Sequence, residues 1–257
     1  MRVFKEFIFV FNYKVVLVAI ISIFATFLCN KFNIIGDMPT SLIGIAVVFP
    51  IVFSINSAFL RRDKALELYG NINSNLASIF FAHINWCKFS KKEKSKVRKE
   101  LLILIIELLE SIKKDLIQES YDEKEKKKVY GYFSDISNKN EELRYVGITP
   151  TEIQTLNIYL NNIISSFENL SSISDYRTPK GLRAYSKIFL NIFPILFAPY
   201  FAKLNVELNF LGYLVAILFS SVLVMLSNIQ DNIENPFDLN GLDDIDLGKE
   251  NRFKNIF

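Results

Sequence analysis

Residues 40–70 read TSLIGIAVVFPIVFSINSAFLRRDKALELYG, and the fold turns on how this stretch is taken. Between Asp37 and Arg61 the chain carries no charge, a run long enough for a helix to cross a bilayer. From Arg61 onward the helical pattern continues but becomes charged. Ile45, Phe49 and Phe53 recur at steps of four residues, so a helix sets all three on one face. Pro50 lies among them. Proline removes one helical hydrogen bond and crowds the turn before it, which predicts a kink.

Three more uncharged runs flank this one. Residues 15–30 lie between Lys14 and Lys31, residues 188–202 between Lys187 and Lys203, and residues 208–230 between Glu207 and Asp231. The first and third are short, and flanking lysines can snorkel to the interface. Pro194 and Pro199 interrupt the third. The order short, long, short, long predicts two helical hairpins. Bulk composition agrees: the chain of 257 residues is 51% hydrophobic with a mean hydropathy of +0.24, more apolar than a soluble domain of this size. Ahead of the first run, Phe4, Phe7, Ile8 and Phe11 give residues 1–14 one apolar face, the mark of an interfacial helix. Thr26, Phe27 and Leu28 precede Cys29 and lack the small residues of a peptidase site, so no cleavage is expected.

Residues 61–187 read as a helical domain. Its most apolar run, Leu101 to Leu109, contains Glu107 and is flanked by charge, so it predicts a buried helix and not a span. Residues 119–147 look loop-rich, with Lys124 to Lys128 a solvated charge run. Thr149-Pro150-Thr151-Glu152 is a sharp helix start, with a capping residue, a proline suited to the first position and a glutamate that completes a capping box. Residues 231–257 form an acidic tail.

The expected organisation is therefore residues 1–60 as interfacial helix and first hairpin, 61–187 as helical domain, 188–230 as second hairpin, and 231–257 as tail. Basic residues collect before the first span (Arg2, Lys5, Lys14), after the second (Arg61, Arg62, Lys64) and before the third (Lys180, Arg183, Lys187), while each hairpin loop carries one lysine. The positive-inside bias then puts both termini and the helical domain in the cytosol of a multi-pass cell-membrane protein.

No motif for a nucleophile elbow, zincin or phosphate-binding loop appears, and the chain is not expected to be an enzyme. One histidine, His83, and two cysteines, Cys29 and Cys87, are too few and too scattered for a zinc site. The lysine run lacks interleaved aromatics, so nucleic acid is not an expected partner. The four spans contain no ionisable side chain of the kind that coupled transporters use. That pattern suits a pore with an apolar constriction, in which Ile45, Phe49 and Phe53 of each copy would stack as three rings.

Three motifs, in order, resemble the bestrophin ion channels, especially their bacterial members. Leu42-Ile43-Gly44-Ile45-Ala46, then Phe53, Asn56, Arg61, and Ala65 with Leu68-Tyr69-Gly70 are similar to that family's L-L-G-I-A-L-S-x-F-L-x-F-R-N-N and Y-D-R-W-W-E-A-R-x-L-W-G. Thr178-Pro179 with Ala184-Tyr185-Ser186 is similar to its entry to the third span, and residues 231–247, containing I-E-N-P-F-D and D-D-I-D-L, to the stretch after its last span. The resemblance implies an all-α, four-span fold with a cytosolic helical domain. It further implies a homopentamer around one pore, conducting chloride or other small anions. It places the neck at Ile45, Phe49 and Phe53, and a second constriction near Ile158.

The chain departs from the family pattern just below the neck, where Ser54-Ile55 replaces an arginine and an asparagine and neither tryptophan is present. A cation-selective channel of the same fold, or a non-conducting membrane-anchored interaction protein, are the alternatives. No cofactor is expected other than calcium, which animal relatives bind after the last span. Asp238, Asn240, Asp243, Asp244 and Asp246 would be its oxygen ligands here, with a structural, surface-wrapping tail as the other reading. No other metal site is assigned. The expected partners are other copies of the chain, the lipid bilayer and small inorganic ions.

Overall fold

The computed structural model describes residues 10–37, 48–118, 122–176, 180–239, 241 and 244–247. Every regular element among them is helical. The chain divides into two compact units, residues 1–60 with 177–234, and residues 61–176 with 235–257. The expected interfacial helix over residues 1–14 lies mostly outside the described residues.

The first unit contains α1 (Tyr13–Lys31), α6 (Lys180–Leu196), α7 (Ala198–Leu208) and α8 (Leu211–Ile233), and the start of α2 (Phe49–Asn85). Tyr13–Lys31, Lys187–Glu207 and Leu211–Ile233 are each long and apolar enough to cross a membrane. The expected second span begins among residues 38–47, outside the described residues, and so does the first turn before Pro50, where the kink was expected.

Polar side chains on α1 are turned inward. Ser22 and Thr26 are buried; Ser22 Oγ donates to the Ala216 carbonyl of α8 (3.3 Å) and Thr26 Oγ1 to the Ser22 carbonyl (2.8 Å). Small residues allow the two backbones to approach, and their hydroxyls find partners without water. Val15 and Val18, near the start of α1, pack with Val224, late in α8. Asn30, at the other end of α1, donates to the Tyr213 hydroxyl at the start of α8 (3.1 Å). The two helices are thus antiparallel.

The third span is broken between α6 and α7, with Phe197 at the junction. Pro199 has no N–H to return to Ile195, so the chain restarts a helix with Pro199 in its first turn. Pro194 is tolerated inside α6. Gly212 closes the turn into α8: a Cβ there would stand 2.0 Å from the Phe201 carbonyl oxygen, so only glycine fits. Ion pairs fasten both ends of this unit. Lys203 meets Asp37 at 2.6 Å on one side, and Lys187 meets Asp231 at 3.1 Å on the other.

The second unit packs the charged part of α2 against α3 (Lys91–Ile117), α4 (Glu123–Glu142) and α5 (Pro150–Asp175). Ser90 with Glu93, and Thr149 with Glu152, form complete capping boxes at the starts of α3 and α5. The Leu101–Leu109 run is a buried stripe, with Leu101, Ile105, Leu108 and Leu109 inside and Glu107 out. The sole histidine is a core residue: His83 is buried, its Nε2 2.9 Å from Asn140 Oδ1, and burial lowers its pKa.

The region expected to be loop-rich is instead largely the helix α4. Asp122 caps it by accepting from the Lys124 N–H (2.9 Å). Glu123 pairs with Lys127 four residues on (2.7 Å), which supports an exposed helical face. Val129, Phe133, Ile136 and Asn140 are buried at spacings of four, three and four, and Phe133 meets Phe167 of α5 edge-on at 5.7 Å. Lys124, Lys127 and Lys128 are exposed, whereas Lys126 is partly buried. It contacts Glu168 (3.6 Å) and Ser171 (3.1 Å) and lies over the Phe167 ring.

The tail residues belong to this core as well. Phe237, Ile245 and Leu247 are buried in it, and Tyr69 donates its hydroxyl to the Leu247 carbonyl (3.2 Å).

Asp115 of α3 carries a pKa raised to about 6, first by burial, then by the carboxylates of Asp175, Glu168 and Glu125, with Lys126 opposing. An acid whose folded pKa lies above its unfolded value is most favourable to folding when protonated. Its contribution is complete below about pH 4, the ordinary aspartate range, and is lost as pH rises through about 6. Asp115→Asn is therefore expected to raise the melting temperature at about pH 7.5 and to have little effect near pH 4. Melts of the purified protein at the two pH values check this; equal shifts at both would contradict it.

Candidate pore-lining face

The apolar start of α2 has one packed side. Ile51, Ser54 and Ala58 are buried at steps of three and four, and Ile51 joins a core with Leu190, Phe193, Phe197, Phe201, Ala216 and Leu223. The other side is open. Phe49 is 59% exposed and Phe53 52% exposed, their rings 4.6 Å apart and edge-to-face. Val52, Asn56 and Leu60 continue the exposed side. Two phenylalanines two turns deep in an uncharged helix thus pack on each other and remain half-exposed. Ile45 lies outside the described residues.

After this stretch the first charges are Arg61 and Arg62. Arg61 donates to the Ile173 carbonyl at the end of α5 (3.3 Å), and Arg62 stands 3.9 Å from Asp63. Further along α2, after the exposed Asp63, Lys64 and Glu67, the exposed and half-exposed positions include Gly70, Asn71, Ser74, Asn75 and Ser78. Beside them, α5 exposes Gln154, Asn157, Ile158, Asn161, Asn162 and Ser165. Asn162 Nδ2 donates to Asn75 Oδ1 at 3.4 Å, which sets the two rows side by side. The wall of these rows is neutral from Gly70 onward, although Lys64 and Glu67 form an exposed ion pair just before it on α2 (2.8 Å); the outer faces of α3 and α4 are dense in lysine and glutamate. Ile158, 52% exposed, is the large apolar side chain in the middle of the neutral wall. The neutral wall went unread in the sequence. Its signal was there: N-I-N-S-N-L-A-S (71–78) and N-I-Y-L-N-N (157–162) are amide-rich islands in a charged domain.

Of the residues read as calcium ligands, Asp238, Asp244 and Asp246 are described. Asn240 and Asp243 lie outside the described residues. Asp244 Oδ2 accepts from the Gly241 N–H (2.8 Å), closing its own turn. Among the described residues, no three His, Cys, Asp or Glu side chains form a group able to hold a metal ion. Asp238, Asp244 and Asp246 therefore offer no three-carboxylate cage.

The helical fold matches known structures. A bacterial bestrophin homologue from Klebsiella pneumoniae superposes with a TM-score of 0.75, covering 95% of this chain and 97% of that one at 14% identity. The chain has the bestrophin fold. Two single-substitution variants of the Klebsiella pneumoniae bestrophin homologue agree, at TM-scores of 0.76 and 0.74, identities of 14% and 15%, and coverage of 95% of this chain and 96% and 97% of theirs. No family model and no curated protein matches the sequence. With its apolar helices, this bestrophin-like chain is a membrane protein.

The two sides of α2 should respond differently to truncation. Ile51→Ala opens a cavity at a fully buried site and is expected to cost about 2–5 kcal/mol. Phe53→Ala, on the open side, should leave the fold of the single chain intact. Thermal melts and far-ultraviolet dichroism of the two variants check this; comparable loss of structure in both would contradict the assignment of faces.

Proposed function

We propose that the chain assembles as a pentamer around a central pore and conducts chloride or other small anions passively. The observation that carries this reading is the open, uncharged face of α2. A helix in a soluble core would bury Phe49 and Phe53; here they pack on each other and stay half-exposed. Five copies around an axis would turn each position into a ring. Ile45, Phe49 and Phe53 then make an apolar neck that admits an ion only when it is wide enough to hold water.

The neutral wall of α2 and α5 would line the vestibule on the cytosolic side, with Ile158 as its exit constriction. Amide N–H groups there can face an anion without a fixed charge to trap it. Arg61 and Arg62 at the base of the neck supply positive potential, which favours anions over cations. Both termini and the helical unit are cytosolic in this reading.

Truncating the neck should ease permeation. Phe49→Ala and Phe53→Ala, reconstituted in liposomes, are each expected to raise chloride flux about tenfold, the effect of lowering the barrier by about 1.4 kcal/mol. Flux equal to the natural sequence in both variants would remove these residues from the gate.

A further inference from the structure

The ends of three membrane helices meet at a cavity of about 230 Å³. Lys14 is the last charge before the uncharged run of α1, Lys187 the last before that of the third span, and Asp231 the first after that of α8. Each marks a membrane boundary independently, and all three line the one cavity. We propose that it binds the headgroup of an anionic phospholipid. The proposal rests on the membrane reading alone and does not depend on conduction.

The lining is graded from polar to apolar. Lys14, Lys187, Asn191, Ser227 and Asp231 are its more exposed lining, and Val18, Leu190, Val224 and Asn228 its buried lining. Two ammonium groups against one carboxylate leave a net charge of +1, matched to a phosphodiester. Lys187 is held by Asp231 at 3.1 Å, but both side chains are partly exposed (49% and 32%), and a wet pair of this kind exchanges partners at little cost. Lys14 has no ion-pair partner among the described residues. Asn228 is committed through its Nδ2 to the Val10 carbonyl (2.8 Å), which fixes the wall. Asn191 and Ser227 leave an amide and a hydroxyl for a polyol headgroup such as glycerol.

The volume suits a phosphate with its glycerol and excludes acyl chains. Those have a path outside: Leu17 and Ile21 are exposed on α1, one and two turns deeper than Lys14. Basic pockets between membrane helices at this depth are suited to lipid phosphates.

The test is native mass spectrometry of the full-length oligomer, equilibrated with phosphatidylglycerol or phosphatidylcholine of identical acyl chains. The natural sequence should retain phosphatidylglycerol preferentially. Each interfacial lysine favours an anionic headgroup by about fivefold, so Lys14→Gln with Lys187→Gln should abolish most of the preference. Asp231→Asn removes the competing carboxylate and should increase it, a gain that misfolding cannot mimic. Equal retention of the two lipids by the natural sequence would overturn the proposal, as would an unchanged preference in the double variant. If the double variant does not assemble, Asp231→Asn decides: an unchanged or smaller preference overturns it. Displacement of the lipid by soluble glycerol phosphate at equal concentration would assign the cavity to a free phosphate ester, and also overturn it.

Discussion

In hydrocarbon a helix must satisfy every polar group from within the protein, and this constraint shapes the first unit. It sends Ser22 and Thr26 to the packed side of α1, where each hydroxyl finds a backbone carbonyl. It lets α1 and α8 approach through small residues, with the Ser22 hydroxyl bonded to the Ala216 carbonyl. It also expels ionisable groups to the span ends, where Lys203 meets Asp37 and Lys187 meets Asp231. What remains on the open side of α2 is uncharged and mostly apolar, with Phe49 and Phe53 prominent on it.

The same helix changes solvent at Arg61 and, with it, the rule for what may be exposed. Beyond that point, water can satisfy side chains, and exposed positions could carry charge. On α3 and α4 they do. On α2 from Gly70 onward, and on the adjoining row of α5, asparagine, glutamine and serine predominate instead. Solubility alone does not require that substitution of amides for charges.

Much of this was legible in the sequence, for identifiable reasons. Charge-free runs bounded by lysine or aspartate mark spans because the cost of a buried charge is large and local. Thr149, Pro150 and Glu152 marked the start of α5 because capping is settled within one turn. The helix α4 was missed because its apolar stripe, Val129, Phe133 and Ile136, is diluted by glycine, asparagine and lysine, and is stabilised by packing on Phe167. The tail looked acidic and separate because Phe237, Ile245 and Leu247 are too widely spaced for any local period; their burial is tertiary. At the pore face, periodicity places Phe49 and Phe53 on one side, but only the fold shows that this is the side left open.

The central claim is that copies of the chain close this open face around an axis. Electron microscopy of the detergent-solubilised particle tests it directly. The account predicts class averages with five-fold symmetry and α2 innermost, its phenylalanines at the narrowest point. A monomer, or an assembly in which the Phe49–Phe53 face points outward to lipid, would contradict it.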